Sequence, residues 1–428
     1  MDKRFSNLFQ ITEEQAIKLL QTPLEQLEDK SDRYAAASHL VRFKSDRSIK
    51  ALIEAIAVCD DQMYNQITKR KAIETLGRFK AEEAFEIICS CLGDHDCYTV
   101  ENAVWAIGEI GTKDKAILNK ITEILSKPNQ NYRVVIQVLA KLDYHLAVEA
   151  IKPFIEDKDQ SIASAALSAI IRLTGDNSYT ERIVELLQSD SVNVRRACIQ
   201  DLMDIKYFDS IGAIASCPVS IVFRLRAIRA LGETAIDEGF KSFAEIEPYL
   251  DQVIRDHPND LQLVHEYDQP PSLEFLINEL YHTDFGRCYL ATKTILDNYA
   301  DVAGEALINT YKESAHNDYG AHYHVIKLFG WLKYQPAYDL LLENLFNNAP
   351  QFQKSRAASA IALGNLGDER AIEAVEKALI TNIFDLKYAC LMVLQQWNYP
   401  IDSQIAVNES DFLLPYKIQN KANIFPND

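Results

Sequence analysis

LGNLGDERAIEAVEKAL, Leu363 to Leu379, decides the fold. Leu363 and Leu366 close one apolar helix, and Gly367 and Asp368 turn the chain. Ile372, Val375 and Leu379 then open a second helix at i, i+3, i+7 spacing. Just upstream, Ser355-Arg356-Ala357-Ala358-Ser359-Ala360-Ile361-Ala362 supplies the small residues of the first helix. One such pair cannot bury its apolar stripe alone, whereas stacked pairs can.

The unit recurs. The equivalent of Leu363 stands at Leu40, Leu76, Ile107, Leu139, Ile170, Leu202, Leu231, Leu296, Phe329 and Leu394. The steps run from about 29 to about 36 residues, the range of helical-pair repeats. Leu231 to Leu296 spans about two periods, so a degraded unit is expected around LQLVHEYDQPPSLEFLINEL, Leu261 to Leu280. The expected fold is all-α, a right-handed α/α superhelical solenoid of HEAT-like, armadillo-type helix pairs. Its concave trough would bind a ligand. Residues 1–235 would hold N-terminal repeats, 236–271 an irregular junction and 272–400 C-terminal repeats. Residues 401–428 would form a non-repeat tail acting as a cap or strap.

Composition agrees. Among 428 residues there are only 14 Gly and 13 Pro, and no window alternates with period two. No apolar run approaches the roughly 20 residues of a membrane span. The opening MDKRFSNLFQITEEQ lacks the apolar core of a signal peptide, so a soluble cytoplasmic protein is expected. A formal charge of −18 argues against nucleic-acid binding and requires any anionic ligand to find a local basic patch. The eight cysteines are too scattered for a disulfide framework; Cys59, Cys198 and Cys390 read as small buried hydrophobes. CSCLGDHDC (Cys89, Cys91, His95, Cys97) hints at zinc, but Cys89 and Cys91 would point opposite ways on a helix, and no metal is expected. A metal-dependent hydroxylase built on such repeats would need several His-Glu pairs, and this chain has only His265-Glu266. No nucleophile elbow, phosphate loop or dinucleotide fingerprint is present.

RAASAIALGNLGDERAIEAVEKAL, Arg356 to Leu379, resembles the short HEAT-like repeat of phycobilin lyases. YTVENAVWAIGEIG, Tyr98 to Gly111, is similar to the Glu-Asn-Ala-x-Trp-Ala segment of the E/F-type lyases. The length, the N-terminal lead-in and the broken middle are similar to the single-chain members that act on phycoerythrin. The resemblance implies attachment of phycoerythrobilin, a substrate rather than a cofactor, to a cysteine of an apo-phycoerythrin alpha subunit. Some such enzymes also isomerise the pigment to phycourobilin. The thiolate belongs to the partner protein and adds to the exocyclic ethylidene of ring A, forming a thioether. The enzyme then needs no nucleophile of its own. It must hold the bilin, polarise it and present the right cysteine. The alternative is a chaperone or scaffold that binds phycobiliprotein or chromophore without catalysis.

The implied site needs basic residues for two propionates, carboxylates for pyrrole N–H groups and aromatic faces for the rings. Glu101 is the first candidate acid or base, with Asn102 for a lactam carbonyl and Trp105 for stacking. The competing reading makes Glu101 a first-turn acid favoured by the helix dipole and Trp105 a core filler. Arg133, Arg195, Arg196, Arg224 and Arg287 are candidate carboxylate partners at helix starts, or else braces between repeats. Arg356 reads as such a brace, with Asp368 as its partner. YHTDFGRCYL (Tyr281 to Leu290) contributes Asp284, and HNDYGAHYH (His316 to His324) contributes Asp318, Tyr319, His322 and His324 as candidate proton-transfer groups. Asp318 with Gly320 can equally be a helix cap. Cys288 with His282 only loosely echoes the histidine-cysteine motif of isomerising relatives.

Overall fold

In the computed structural model, which describes residues 11–58, 62–401 and 409–422, all regular structure among the described residues is helical. Cys59 and the extreme tail NIFPND lie outside the described residues. Contacts divide the chain into two compact units, up to Tyr179 and from Thr180.

In the first unit the helices are α1 (Glu13–Gln21), α2 (Asp32–His39), α3 (Asp46–Ile56), α4 (Met63–Phe79), α5 (Phe85–Ser90), α6 (Cys97–Ile110), α7 (Lys115–Ile124), α8 (Tyr132–Lys141), α9 (Val148–Ile151) and α10 (Gln160–Thr174). Helices α2, α4, α6, α8 and α10 are the small-residue helices of successive pairs and stack on one another. Their recurring residues Leu40, Leu76, Ile107, Leu139 and Ile170 are all buried in one continuous core.

The second unit contains α11 (Thr180–Glu185), α12 (Val192–Asp204), α13 (Ile211–Ser216), α14 (Ile221–Asp237), α15 (Phe243–Arg255), α16 (Leu273–Glu279) and α17 (Phe285–Asn298). It continues through α18 (Ala303–Glu313), α19 (Tyr319–Trp331), α20 (Tyr338–Leu345), α21 (Gln353–Leu366), α22 (Ile372–Ala378), α23 (Phe384–Gln396) and α24 (Leu414–Ala422). Here Leu202, Leu231, Phe329, Leu363 and Leu394 are buried as the repeat requires. Leu296 is not. Ile295, 0% exposed, takes the core position, and Leu296 is half-buried beside it. The four-residue step from buried Ala291 fixes that register.

Small residues set the spacing of the stack. A Cβ on Gly330 would lie 2.5 Å from Ala362 Cα, and one on Gly77 would lie 2.9 Å from Ala106 Cα. Both obstacles are backbone, which cannot turn aside. Gly330→Ala is therefore expected to destabilise by up to about 2 kcal/mol in urea unfolding, because overpacking of up to about 3 kcal/mol against backbone exceeds the helix-propensity gain of about 1. An unchanged midpoint would show that α19 and α21 can separate freely.

Two expectations are corrected here. Residues 236–271 are not irregular throughout: α15 occupies Phe243–Arg255, and the chain departs from helices over 238–242 and from 256 to 272, apart from a single turn at Pro258–Asp260. The boundary between compact units falls at Tyr179 and Thr180 instead of this stretch. The degraded repeat retains its second helix, α16, while its first is replaced by non-helical chain. Second, the face of the second unit expected to be an open trough is filled. Helix α15 packs on α13 and α14 and also on the distant α21 and α23. Helix α19, packed on α17, α18 and α21, is buried continuously from Gly320 to Gly330, and α23, packed on α15 and α21, from Leu386 to Leu394. The chain after 408 lies as a strap over the same region. Asp411 Oδ2 accepts from Arg229 at 2.6 Å, Glu409 pairs with Lys387, and buried Lys417 on α24 spans Glu247 (2.6 Å) and Asp251 (2.7 Å).

Candidate functional site

In the first unit, the Asp96 side chain caps α6 by accepting from Thr99 N at 3.0 Å. Arg70 on α4 grips the same carboxylate at 2.7 and 2.8 Å and lies 4.8 Å from the exposed Tyr98 ring. The helix thus begins at Cys97, earlier than the polar residues suggested. Glu101 lies in its second turn, beyond the pull of unpaired N–H groups, and the dipole reading falls. Burial raises the Glu101 carboxyl above the usual range, with Asn131 and Arg70 opposing. Asn102 Nδ2 donates to Tyr98 O at 2.7 Å, within its own helix. Trp105 is half-buried against the core, its ring filling the space that Gly77 leaves. Arg133 donates to Ser161 O on the next small-residue helix and braces the stack.

In the second unit a polar cluster is enclosed by α14, α17, α19, α21 and the end of α15. Asp256 caps α15 at φ 54°, in the left-handed region, and is 1% exposed. It accepts from Arg224, from Tyr289 Oη at 2.9 Å and from Tyr323 Oη at 2.5 Å. Burial would raise its pKa, but the charges of Arg224 and Lys327 outweigh this and hold the carboxyl below its usual value. Arg224 also donates to Val219 O and Ala215 O, both at 3.0 Å. Lys327 donates to Arg255 O, and burial lowers it to about 8.

Beside this lock, Phe285, Tyr289, Tyr319 and Tyr323 form an aromatic box. Two polar side chains project into it without partners. Lys354 Nζ lies 3.5 Å from the Tyr319 ring centre, 4.3 Å from Phe285 and 4.9 Å from Tyr323. It has no hydrogen-bond acceptor, and burial brings it down to about 7. Neither ring nitrogen of His324 has a partner. Burial lowers this imidazole to about 3, so it is neutral near pH 7. Orphaned buried polar groups are rare, and a cluster of them is a mark of function.

The remaining candidates divide clearly. Arg195, 0% exposed, donates to Ser189 O (2.7 Å), Asp190 O (3.0 Å) and Asp284 (2.6 Å). Asp284 also caps α17 through Gly286 N and meets His265 at 3.1 Å. Arg287 is clamped by Glu279 at 2.8 and 2.7 Å, with His282 at 3.2 Å. Asp318 caps α19, accepting from Gly320 N (2.8 Å) and Ala321 N (2.7 Å). His322 bonds Ser355 Oγ at 2.8 Å, stacks on Phe352 and is lowered by burial to about 4. Arg356 does not meet Asp368. It donates to Leu345 O at 2.9 Å, while Asp368 takes Arg370, two residues along its own turn. Arg196 stays half-buried over Phe223 with no carboxylate partner, and Tyr319 keeps 48% of its surface exposed. Cys288 is buried; its thiol meets His282 only through the backbone carbonyl at 3.2 Å, and burial pushes it up to about 12.

Sequence reasoning passed over Lys354, Asp256, Tyr289 and Lys327. Lys354 did leave a signal. Nine positions before the recurring apolar residue, other units carry Tyr98, Asn193, Val222 and Gly320, and only here is the residue a lysine among these five. Among the described residues no three His, Cys, Asp or Glu side chains gather as a metal site, and no helix is long and apolar enough to cross a membrane.

Residues 61–133 match the model of HEAT repeats, and 32–57 and 355–381 match that of the PBS lyase HEAT-like repeat. Phycocyanin operon protein Y of Pseudanabaena tenuis is 54% identical over 97% of this chain and 99% of its own length. The bilin biosynthesis protein CpeY of Synechococcus sp. is 34% identical over 86% of this chain and 90% of its own. The phycocyanobilin lyase subunit alpha of Nostoc sp. is 29% identical over 52% of this chain and 85% of its own. Relatedness of this depth, along nearly the whole chain, places the protein in the phycobilin lyase family as an enzyme of the lyase class.

Proposed function

We propose that this protein attaches phycoerythrobilin through a thioether to a cysteine of an apo-phycoerythrin alpha subunit. The observation carrying the reading is the near full-length similarity to a bilin biosynthesis protein. The boxed Lys354 and His324 supply what the chemistry asks for: aromatic walls, a cation and a neutral imidazole. In the step itself, the partner's thiolate sulfur bonds to the exocyclic carbon of ring A. The double-bond electron pair moves into the conjugated system, which takes up the proton the thiol gave away. A scaffold would bind bilin or phycobiliprotein and leave no bond.

Co-expression with the apo-subunit in a host making phycoerythrobilin tests this. Acid-stable pigment on the subunit supports attachment; pigment lost on denaturation supports the scaffold. A blue-shifted, phycourobilin-like product would add isomerisation. Apo-phycocyanin subunits run in parallel test the choice of acceptor.

Glu101 remains the proposed acid or base of the first unit, with Asn102 and Trp105 beside it. Glu101→Gln is expected to lower the ligation rate about 100-fold while leaving bilin affinity within about twofold, the scale of a lost proton-transfer group. Equal rates would remove Glu101 from the mechanism. Tyr319 and His324 are the proposed reactive groups of the second unit, and Asp318 and His322 position them.

A further inference from the structure

The whole chain carries a formal charge of −18, yet one cluster in the second unit holds cations that meet no acid. Arg224 is neutralised by Asp256 and Arg195 by Asp284. Lys327 donates to the Arg255 carbonyl, lies over the Trp331 ring and is balanced by the charge of Asp256. Arg196 makes one long contact of 3.4 Å to Thr283 O, and its Nε has no partner. Lys354 Nζ, on a side chain 4% exposed, has three N–H donors and no acceptor. Water is kept from it by rings. An ammonium so placed lacks an oxygen anion, and Tyr319, half exposed, lies directly over it.

We propose that Lys354 is the floor of a carboxylate-binding subsite, with Tyr319 as its wall and Arg196 at its rim, and that it takes one propionate of the tetrapyrrole. The assignment rests on the bilin reading above and deepens it. A carboxylate entering here gains a desolvated ion pair, and the attached rings meet Tyr319 and Phe285. It makes Lys354 a substrate-positioning residue that fixes which end of the linear pigment lies where.

The groups facing Lys354 are Asp256 at the end of α15, Cys288 and Phe285 on α17, and Tyr319, His322, Tyr323 and His324 on α19 with its cap Asp318. Arg196 faces Tyr319 from α12. Between pH 7 and 9 both Lys354, lowered to about 7, and Lys327, lowered to about 8, lose charge, so the pH dependence belongs to Lys354 only where Lys354→Met abolishes it.

The test is a fluorescence titration of the purified full chain with phycoerythrobilin and with its dimethyl ester, at pH 6.5. The free acid is expected to bind at least tenfold tighter than the ester. In Lys354→Met, and in Lys354→Gln as a second variant, acid affinity should fall to that of the ester while ester affinity moves less than twofold. The pH profile gives a second reading: acid affinity should weaken as pH rises from 7 to 9 in wild type but not in Lys354→Met, while ester affinity stays level. Equal affinity of acid and ester for wild type, or undiminished discrimination in both variants, overturns the carboxylate subsite and leaves the bilin reading standing. Binding of neither form overturns both.

Discussion

Asp256→Ala is expected to destabilise the second unit by about 3–5 kcal/mol, enough to lose much of its cooperative unfolding transition. The substitution leaves Arg224, 0% exposed, as a charge without its partner. It also strips the acceptor from Tyr289 and Tyr323 and puts alanine in a left-handed backbone position. Asp256→Asn keeps an acceptor and tolerates that backbone, so its loss should be smaller. The pH dependence follows from the lowered carboxyl. The pair's contribution is fully present above the ordinary aspartate value near 3.8 and is lost as pH falls through the lower folded value. Urea titrations of wild type and both variants, followed by far-UV circular dichroism, measure this. A shift in Asp256→Ala below about 1 kcal/mol would mean that α15 is held by its apolar face alone and that Asp256 locks nothing.

Lys354→Met is expected to act in the opposite direction and stabilise the unit. Burial lowers the lysine from its ordinary 10.5 to about 7, so below pH 7 the fold carries a charged lysine that it disfavours. The full shift corresponds to about 5 kcal/mol, and attraction to three aromatic faces returns about 2 of it. The net expectation is about 2–3 kcal/mol of added stability at pH 6. Between pH 7 and 10.5 the unfolded chain binds more protons than the folded one, so wild-type stability rises through that window and the advantage of methionine fades. The carboxylate subsite proposed above accounts for keeping such a cost at this position. A destabilised Lys354→Met at pH 6 would show instead that the ammonium belongs to the packing.

The helix pairs were legible because their period is local. Ile107, Leu139 and Phe329 announce buried positions through their own neighbours, and each proved to lie in a core. Leu296 was misread by one position because Ile295 and Leu296 are adjacent and both large and apolar, so local pattern does not say which of the two faces the core. The arginines at helix starts were legible only as residues that need partners. Whether the partner is a substrate carboxylate or a neighbouring turn depends on distance: Arg195 meets Asp284 from 89 positions away, and Arg287 meets Glu279 from eight. Asp256 sat in a stretch expected to be irregular and gave no sign that it would become the centre of a buried lock.

Sequence by itself determined that the chain is helical, that its helices come in pairs, and that it resembles the phycobilin lyases. Those properties rest on spacing and residue type within a few tens of positions. Tertiary structure alone decided that α15 folds back onto α21 and α23, and that Arg224, Tyr289 and Tyr323 converge on one carboxylate. It also decided that Lys354 is sealed among aromatic rings. Burial and charge pairing are sums over neighbours distant in sequence, and no local pattern carries that sum.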